Sequence, residues 1–402
     1  MTLPPVPPLA RTPEEWSEAV RALGGRPFHA RQMFQWIQAR GVLEADRMTD
    51  LPKELREKVG GLGLERIVRA TDVRRAADAT RKVLVTLHDG ATVETVLIPG
   101  VSGGKTSLPS PLSENDDADA AAAVDEDDEE DDDAAPGGEG RSAGAEAATR
   151  VTQCVSTQVG CAMGCVFCAS GVAGLKRHLG PDEVVGQVLL GRRLLEPGER
   201  LRNVVFMGMG EPLHNYDATA RALRLLTHRE GIALSARRVT VSTSGLIPEI
   251  ARLGEDFGGN IGLAISLHAA DDETRSRLMP INRKYPLPKL MDALRAYPLP
   301  RRRRITIEYT LVAGRNDAPT EATKLAALLR NLPVKINLIP MNPIAASTLQ
   351  PPDLRGVLAF QRILCDAGYS CFIRRRRGDD VSAACGQLAL LGARAKVRVN
   401  RD

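Results

Sequence analysis

The run QVGCAMGCVFCAS, residues 158–170, places Cys161, Cys165 and Cys168 in a C-x3-C-x2-C spacing. Three thiolates in one short loop are one fewer than a closed tetrahedral site needs. Thiolate sulfur suits iron–sulfur clusters and zinc, and a complete [4Fe–4S] cluster is normally held by four cysteines. A cluster on three leaves one iron open, where a small molecule can chelate it. A zinc reading would recruit Cys154 as the fourth ligand. Structural zinc sites usually draw on two separate knuckles, however, and one crowded loop fits that pattern poorly.

Downstream of this loop, strands alternate with helices. The strand candidates are VTQCVS (151–156), RNVVFMG (202–208), RRVTVST (237–243), NIGLAISL (260–267), RITIEYTLV (304–312), VKINLIP (334–340) and SCFIRR (370–375). Helical patterns such as EATKLAALLRNL separate them. This βα repetition implies a parallel sheet or barrel, an α/β fold, with polar and glycine residues gathered at the strand C-termini where such folds place their sites. Upstream, residues 12–68 have helical periodicity, opened by a Thr12/Glu15 capping-box pattern. Residues 82–99 give two strands turning at Asp89-Gly90, a small β extension.

The 402 residues carry 54 basic and 50 acidic side chains, for a net charge of +4. That balance hides an asymmetry. Residues 112–149, including DEDDEEDDD at Asp125–Asp133, hold fifteen acidic residues and one basic residue, Arg141. Without them 53 basic residues face 35 acidic ones, about +18, which suggests a polyanionic partner such as RNA. The acidic stretch lacks periodicity and reads as a disordered, self-repelling insertion, either a solubilising spacer or an internal competitor for the basic surface. At 3% aromatic content, a large base-stacking platform is not expected. No run of about 20 apolar residues occurs and TLPPVPPLAR has no signal-peptide core, so the expected location is the cytosol, where thiols stay reduced.

Five further stretches can carry chemistry. MGMGEPL (207–213) follows a strand: Gly210 permits close backbone approach, and Glu211 can accept a hydrogen bond from an ammonium group. STSG (242–245) and SLH (266–268) present hydroxyls at strand ends, suited to a nucleoside ligand; His268 fits equally well as a satisfied core histidine. Asn342, in INLIPMNP, can pair with an adenine edge. Finally, RRRRGDDVSAACGQL (374–388) sets Cys385 in a small-residue loop where a thiol is accessible and reactive, whereas Cys365 and Cys371 read as buried structural thiols. The arginine runs 301–304 and 374–377 could neutralise phosphates.

Together CVSTQVGCAMGCVFC, VVFMGMGEPL, VTVSTSG, AISLHA, INLIPMNP and RGDDVSAACGQL resemble the RlmN/Cfr family of radical S-adenosylmethionine (SAM) RNA adenine methyltransferases. The motifs run in family order along nearly all of residues 150–390, and VETVLIP extends the match upstream. The acidic insertion and the Pro-rich tip depart from the pattern. The resemblance implies a partial (βα)6 TIM-like radical SAM barrel over 150–395, ending in the Cys385 loop. It also implies a helical RNA-contacting domain over 12–68 and a β extension over 69–111, with 1–11 a disordered tip and 396–402 a tail. It implies a [4Fe–4S] cluster on Cys161, Cys165 and Cys168, and SAM contacts at Gly210, Glu211, Ser242, Ser266, Leu267, His268 and Asn342. Two SAM molecules are expected per turnover: one methylates the Cys385 thiol, the other yields the radical that activates that methyl group. Cys154 is then expected to release the RNA adduct by forming a disulfide with Cys385, with Glu94 as proton acceptor.

The implied substrates are an adenosine in 23S rRNA, methylated at carbon 2, and the adenosine 3′ of certain tRNA anticodons. A one-electron donor such as flavodoxin or ferredoxin is implied, the chain is expected to be monomeric, and no membrane contact is expected. The carbon-8 chemistry of the Cfr branch shares these motifs, and a zinc-stabilised RNA-binding module without catalysis would also account for the basic body and the cysteine loop.

Overall fold

The computed structural model describes residues 6–100, 148–344, 347–374 and 377–388; the acidic insertion read at 112–149 lies outside the described residues up to 147, as do residues 389–402. The expected capping box opens α1 (Pro13–Ala22): Thr12 Oγ1 accepts from the Glu15 amide, and the Glu15 carboxylate accepts from Thr12 N at 2.8 Å. α2 (Pro27–Phe34) runs into a π-helical turn over Gln35–Ala39, and α3 (Lys53–Gly60) follows. Trp16, Met33, Phe34 and Ile37 are fully buried, each contributing roughly 1.5–3 kcal/mol of hydrophobic stabilisation.

Part of the tip expected to be disordered is packed instead. Pro8–Ala10 forms a 3-10 turn with Leu9 and Ala10 fully buried. Their carbonyls are satisfied by the Gln38 amide (2.7 Å) and Arg221 Nε (2.8 Å), so the backbone has reason to stay there.

Three antiparallel strands follow, β1 (Val68–Arg75), β2 (Arg81–Leu87) and β3 (Thr92–Pro99). β1 has no counterpart in the sequence reading; it is an edge strand exposed along most of its length, without the alternation that marks a half-buried strand. β3 pairs antiparallel with β4 (Thr149–Cys154), setting Val96 opposite Cys154. The β extension is therefore continuous with the barrel sheet.

After β4 come β5 (Gln158–Val159), α4 (Ala169–Ala173) and β6 (Arg177–His178), which form the cysteine loop and its base. The βα units then continue through α5 (Pro181–Arg193), β7 (Glu199–Phe206), α6 (Tyr216–Leu226), β8 (Val239–Thr243), α7 (Ile247–Phe257), β9 (Gly262–Ser266), α8 (Asp272–Leu278), α9 (Leu287–Ala296), β10 (Ile305–Leu311), α10 (Pro319–Leu328), β11 (Val334–Pro340), α11 (Leu354–Asp366) and β12 (Cys371–Ile373). All seven strands read from the sequence are present. The sheet order is β1-β2-β3-β4-β7-β8-β9-β10-β11-β12, parallel from β4 onward. β1 and β12 are its two edges, so the barrel is open, as expected for a partial (βα)6 architecture. The N-terminal helices seat on α5, whose Arg192 donates to the carbonyls of Gln38 (2.8 Å) and Ala39 (2.7 Å).

The cysteine loop is closed at its base. Gln158 and Val159 pair with His178 and Arg177, and Cys161 N donates to Gly174 O at 3.2 Å. Gly160 makes this closure possible: its φ is +79°, and a Cβ there would stand 1.8 Å from Gly174 O. We predict that Gly160→Ala destabilises the protein by about 1–3 kcal/mol or more, read as a lower urea midpoint. An unchanged midpoint would mean that this closure contributes nothing.

Candidate active site

A cleft of about 910 Å³ opens at the C-terminal ends of the parallel strands. Cys161, Cys165, Cys168, Gly210, Glu211, Ser242, Ser266, His268, Asn342 and Cys385, far apart in sequence, all line it. Each strand end delivers its part: β7 leads to Gly210 and Glu211, β8 to Ser242, β9 to Ser266 and His268, β11 to Asn342.

Gly210 has a φ of +104°, and a Cβ would meet Gln158 Cβ at 2.6 Å, so this turn requires glycine. Glu211 is buried; its carboxylate accepts from Ser244 N (2.7 Å) and Leu213 N (3.1 Å), while burial raises its pKa. His268 adopts a left-handed φ of 59° and is fixed from both sides. Its Nδ1 accepts from Thr310 N at 2.9 Å, and its carbonyl accepts from Asn316 Nδ2 at 2.7 Å. Burial pulls its pKa down to about 3, so the ring is neutral and Nε2 carries the hydrogen. The core-histidine reading and the site reading both hold, because this pinned ring is also part of the cleft wall.

Leu267 differs from its expected partners. Its side chain is fully buried and does not line the cleft; its backbone instead bridges strand ends, with N donating to Glu308 O at 3.0 Å. Among the cleft-lining polar atoms, Ser244 Oγ and Asn342 Oδ1 are buried without a hydrogen-bond partner, and Glu308 Oε2 has only the Arg374 guanidinium, 4.0 Å away. Buried polar atoms are seldom left so, and these fit a polar ligand such as the nucleoside and amino-acid ends of SAM.

The three loop cysteines line the same cleft as these groups. Burial raises all three thiols, Cys161 to about 12, so none ionises in neutral water without a cationic group to bind it. Among the described residues no three His, Cys, Asp or Glu side chains gather around the position of a single ion. A cluster distributes its thiolates over separate irons and does not need that convergence. The zinc quartet with Cys154 is not assembled, because Cys154 ends β4 opposite Val96 and faces another cavity.

That second cavity, about 520 Å³, is lined by Cys154 and by Met207, Ile339, Asn342, Arg374 and Cys385, the latter five also lining the main cleft. Cys385 thus stands between the two spaces. Its loop is docked firmly: Asn342 Nδ2 donates to Cys385 O (2.9 Å), Ala169 N to Gly386 O (2.8 Å) and Ser170 Oγ to Leu388 O (2.7 Å). Burial, then the nearby Cys385, pushes Cys154 up to about 12. All described cysteines are free thiols.

Glu94 lines neither cavity. It is buried on β3 with its Oε1 3.2 Å from Lys82 Nζ, and the same ammonium donates to Ser382 O at 3.2 Å. Two other expectations are corrected. Cys365 is exposed rather than structural, with its pKa lowered to about 7 chiefly by a hydrogen bond from Cys371. Arg374 does not stand on a solvated strand edge: half-buried, it lines the cleft 4.0 Å from Glu308 Oε2, while Arg377 donates to Pro99 O.

Sequence reasoning missed Glu308, Lys82, Arg374 in this role, and Arg275. Glu308 left a signal, a carboxylate inside the apolar strand RITIEYTLV; its Oε1 accepts from Asn337 Nδ2 at 3.0 Å.

Comparison with known proteins agrees with this geometry. Residues 155–326 match the radical SAM superfamily, and residues 11–62 match the ribosomal RNA large subunit methyltransferase N-terminal domain. A radical SAM methyltransferase from Sphaerobacter thermophilus superposes with a TM-score of 0.79 at 38% identity, covering 96% of this chain and 99% of that one. The dual-specificity RNA methyltransferase RlmN of Anaeromyxobacter dehalogenans is 41% identical over 96% of this chain and 92% of its own. That of Sorangium cellulosum is 68% identical over 98% of both chains. Identity of this extent over the full length, on a radical SAM fold, establishes that the chain belongs to the RlmN family of radical SAM methyltransferases.

Proposed function

We propose that this protein is a radical SAM RNA methyltransferase that adds a methyl group to carbon 2 of an adenosine in 23S rRNA and of the adenosine 3′ of tRNA anticodons. One observation carries the reading: Cys385 lines both the cleft of the three cysteines and the cavity of Cys154. The relatives bear the name dual-specificity RNA methyltransferase RlmN, which favours carbon 2 over the carbon-8 chemistry of the Cfr branch.

Ring carbon 2 of adenine is a poor nucleophile and cannot displace a methylsulfonium directly. Cys385 supplies the nucleophile instead, taking a methyl group from SAM as a thioether. When bound by Cys161, Cys165 and Cys168, a [4Fe–4S] cluster supplies one electron for the reductive cleavage of a second SAM, drawn from a carrier such as flavodoxin or ferredoxin. Glu211 holds the SAM ammonium, with Ser242, Ser266 and Asn342 orienting the nucleoside and His268 shaping the pocket as a neutral ring. The 5′-deoxyadenosyl radical released from that second SAM would take one hydrogen atom from the Cys385 thioether methyl, becoming 5′-deoxyadenosine, and the carbon radical left on Cys385, kept from water by the cleft, bonds to carbon 2 of adenine.

Release falls to Cys154. Its thiolate attacks the Cys385 sulfur, the bond from that sulfur to the product carbon breaks with its electron pair, that carbon takes up a solvent proton to become a methyl group, and an S–S bond remains. Before that release, Glu94 accepts the carbon-2 proton as the adduct gives up one electron, which the cluster held by the three loop cysteines would take back; this requires the Glu94 pair with Lys82 to open toward the second cavity.

We predict that Cys385→Ala still binds SAM and assembles the cluster but transfers no methyl to RNA, measured with radiolabelled SAM; retained transfer would rule out the thioether relay. Cys154→Ala should accumulate protein crosslinked to RNA, visible on a denaturing gel. Normal turnover without a crosslinked band would remove Cys154 from the release step.

A further inference from the structure

Arg275, on α8, is fully buried, and every nitrogen of its guanidinium is engaged. Nε donates to Leu267 O (3.0 Å), Nη1 to Asn282 Oδ1 (2.8 Å), and Nη2 to Ser244 O (2.7 Å) and Ser266 O (3.2 Å). Three of these acceptors are backbone carbonyls at the ends of β8 and β9, the strand tips that line the cleft. Ser244 is held at both faces of its backbone: its carbonyl accepts from Arg275 while its amide donates to the Glu211 carboxylate at 2.7 Å. Leu267 is held likewise, its carbonyl by Arg275 and its amide by Glu308 O.

Carbonyls solvate a cation but do not neutralise it. Among the described residues no carboxylate bonds to Arg275; Asp272 reaches it through the Asn282 side chain, whose Nδ2 donates to Asp272 Oδ1 at 2.9 Å. Burial lowers Arg275 to about 10, which leaves it charged at neutral pH, and the largest opposing influence is Cys165, ahead of Asp272. An isolated charge in a dry interior is costly unless an anion joins it. The anion that faces it is the thiolate that Cys165 becomes on binding a metal cluster: Cys165 lines the same cleft as Ser244 and Ser266, whose carbonyls Arg275 holds.

The geometry points to a double role for Arg275: a positioning residue that clamps the ends of β8 and β9 for SAM, and a fixed positive charge that offsets the Cys165 thiolate and raises the reduction potential of the cluster it holds. This rests on the assignment of Cys161, Cys165 and Cys168 as cluster ligands. A positive charge beside the cluster favours the state with one more electron, so its removal makes reduction harder. The forked guanidinium and its charge are separable, because lysine keeps the charge but cannot span carbonyls of two strands in one plane.

The test compares the full-length protein with Arg275→Lys and Arg275→Gln after anaerobic reconstitution. Iron and sulfide content, cluster midpoint potential by EPR-monitored titration, and SAM affinity by calorimetry are measured for each. Arg275→Lys is expected to keep the potential of the unsubstituted protein while weakening SAM binding about tenfold, the loss of one or two buried hydrogen bonds. Arg275→Gln is expected to weaken SAM similarly and to shift the potential to a more negative value. Unchanged potential in a fully loaded Arg275→Gln protein would overturn the electrostatic role, and unchanged SAM affinity in both variants would overturn the clamp. Should the glutamine variant fail to load, the lysine variant decides: a potential lowered despite the retained charge contradicts the proposal. Absence of iron and sulfide from the unsubstituted protein would instead count against the cluster assignment itself.

Discussion

Parallel pairing is the constraint on which this molecule depends. Strands that run the same way must be joined by crossovers, so all of their C-terminal ends emerge along one edge. Within the large sheet the pairing is parallel from β4 to β12. Glu211, Ser242, Ser266, Asn342 and Arg374 lie on different βα units, yet each follows its strand to the same cleft. The cysteine loop, on the connection after β4, joins them without any special device beyond the Gly160 turn.

The cleft sets its polar groups among apolar side chains such as Phe167, Met279 and Met341, and what keeps the polar groups in place is mutual bonding. Glu211 receives the Ser244 and Leu213 amides, Ser244 receives Arg275, and His268 is held through Thr310 and Asn316. Such a network is worth having in low dielectric only if nearly every member is satisfied. The exceptions, Ser244 Oγ and Asn342 Oδ1, therefore mark where a ligand completes the set. The Cys385 loop is tied on several sides: to α4 through Gly386 and Leu388, to Asn342, and to β2 through Lys82. Asp78, in the β1–β2 turn, accepts from Gly378 N at 3.1 Å and adds another tie. The antiparallel extension thus supports the reactive thiol, and removing it from the barrel would leave that loop without one wall.

Much of this was legible in the sequence, for reasons that particular residues make clear. The strands β7 to β12 are short apolar runs separated by helical periodicity, and a buried parallel strand has no other way to look. The cysteine spacing, Gly210-Glu211 and Cys385 are local patterns, so they could be recognised without knowing the fold. β1 was not legible because an exposed edge strand lacks alternation. Arg275, Lys82 and the place of Arg374 in the cleft were not legible because nothing local distinguishes an arginine or lysine held in a site from a solvated one; only the carbonyls and carboxylates brought to them by distant segments do. Leu9 and Ala10 belong to the same class, since their burial depends on Gln38 and Arg221. Glu94 was found through resemblance alone, and its pairing with Lys82 became visible only in three dimensions.

The central claim is that methyl transfer to RNA passes through a carbon attached to Cys385. It is tested most directly by incubating the anaerobically reconstituted protein with 23S rRNA and SAM bearing a fully deuterated methyl group, then digesting the RNA and weighing its nucleosides by mass spectrometry. The account predicts 2-methyladenosine whose new methyl group has lost one deuterium, because a hydrogen must leave that carbon before it bonds to the ring. A methyl group arriving with every deuterium retained, or methylation at carbon 8, would contradict it.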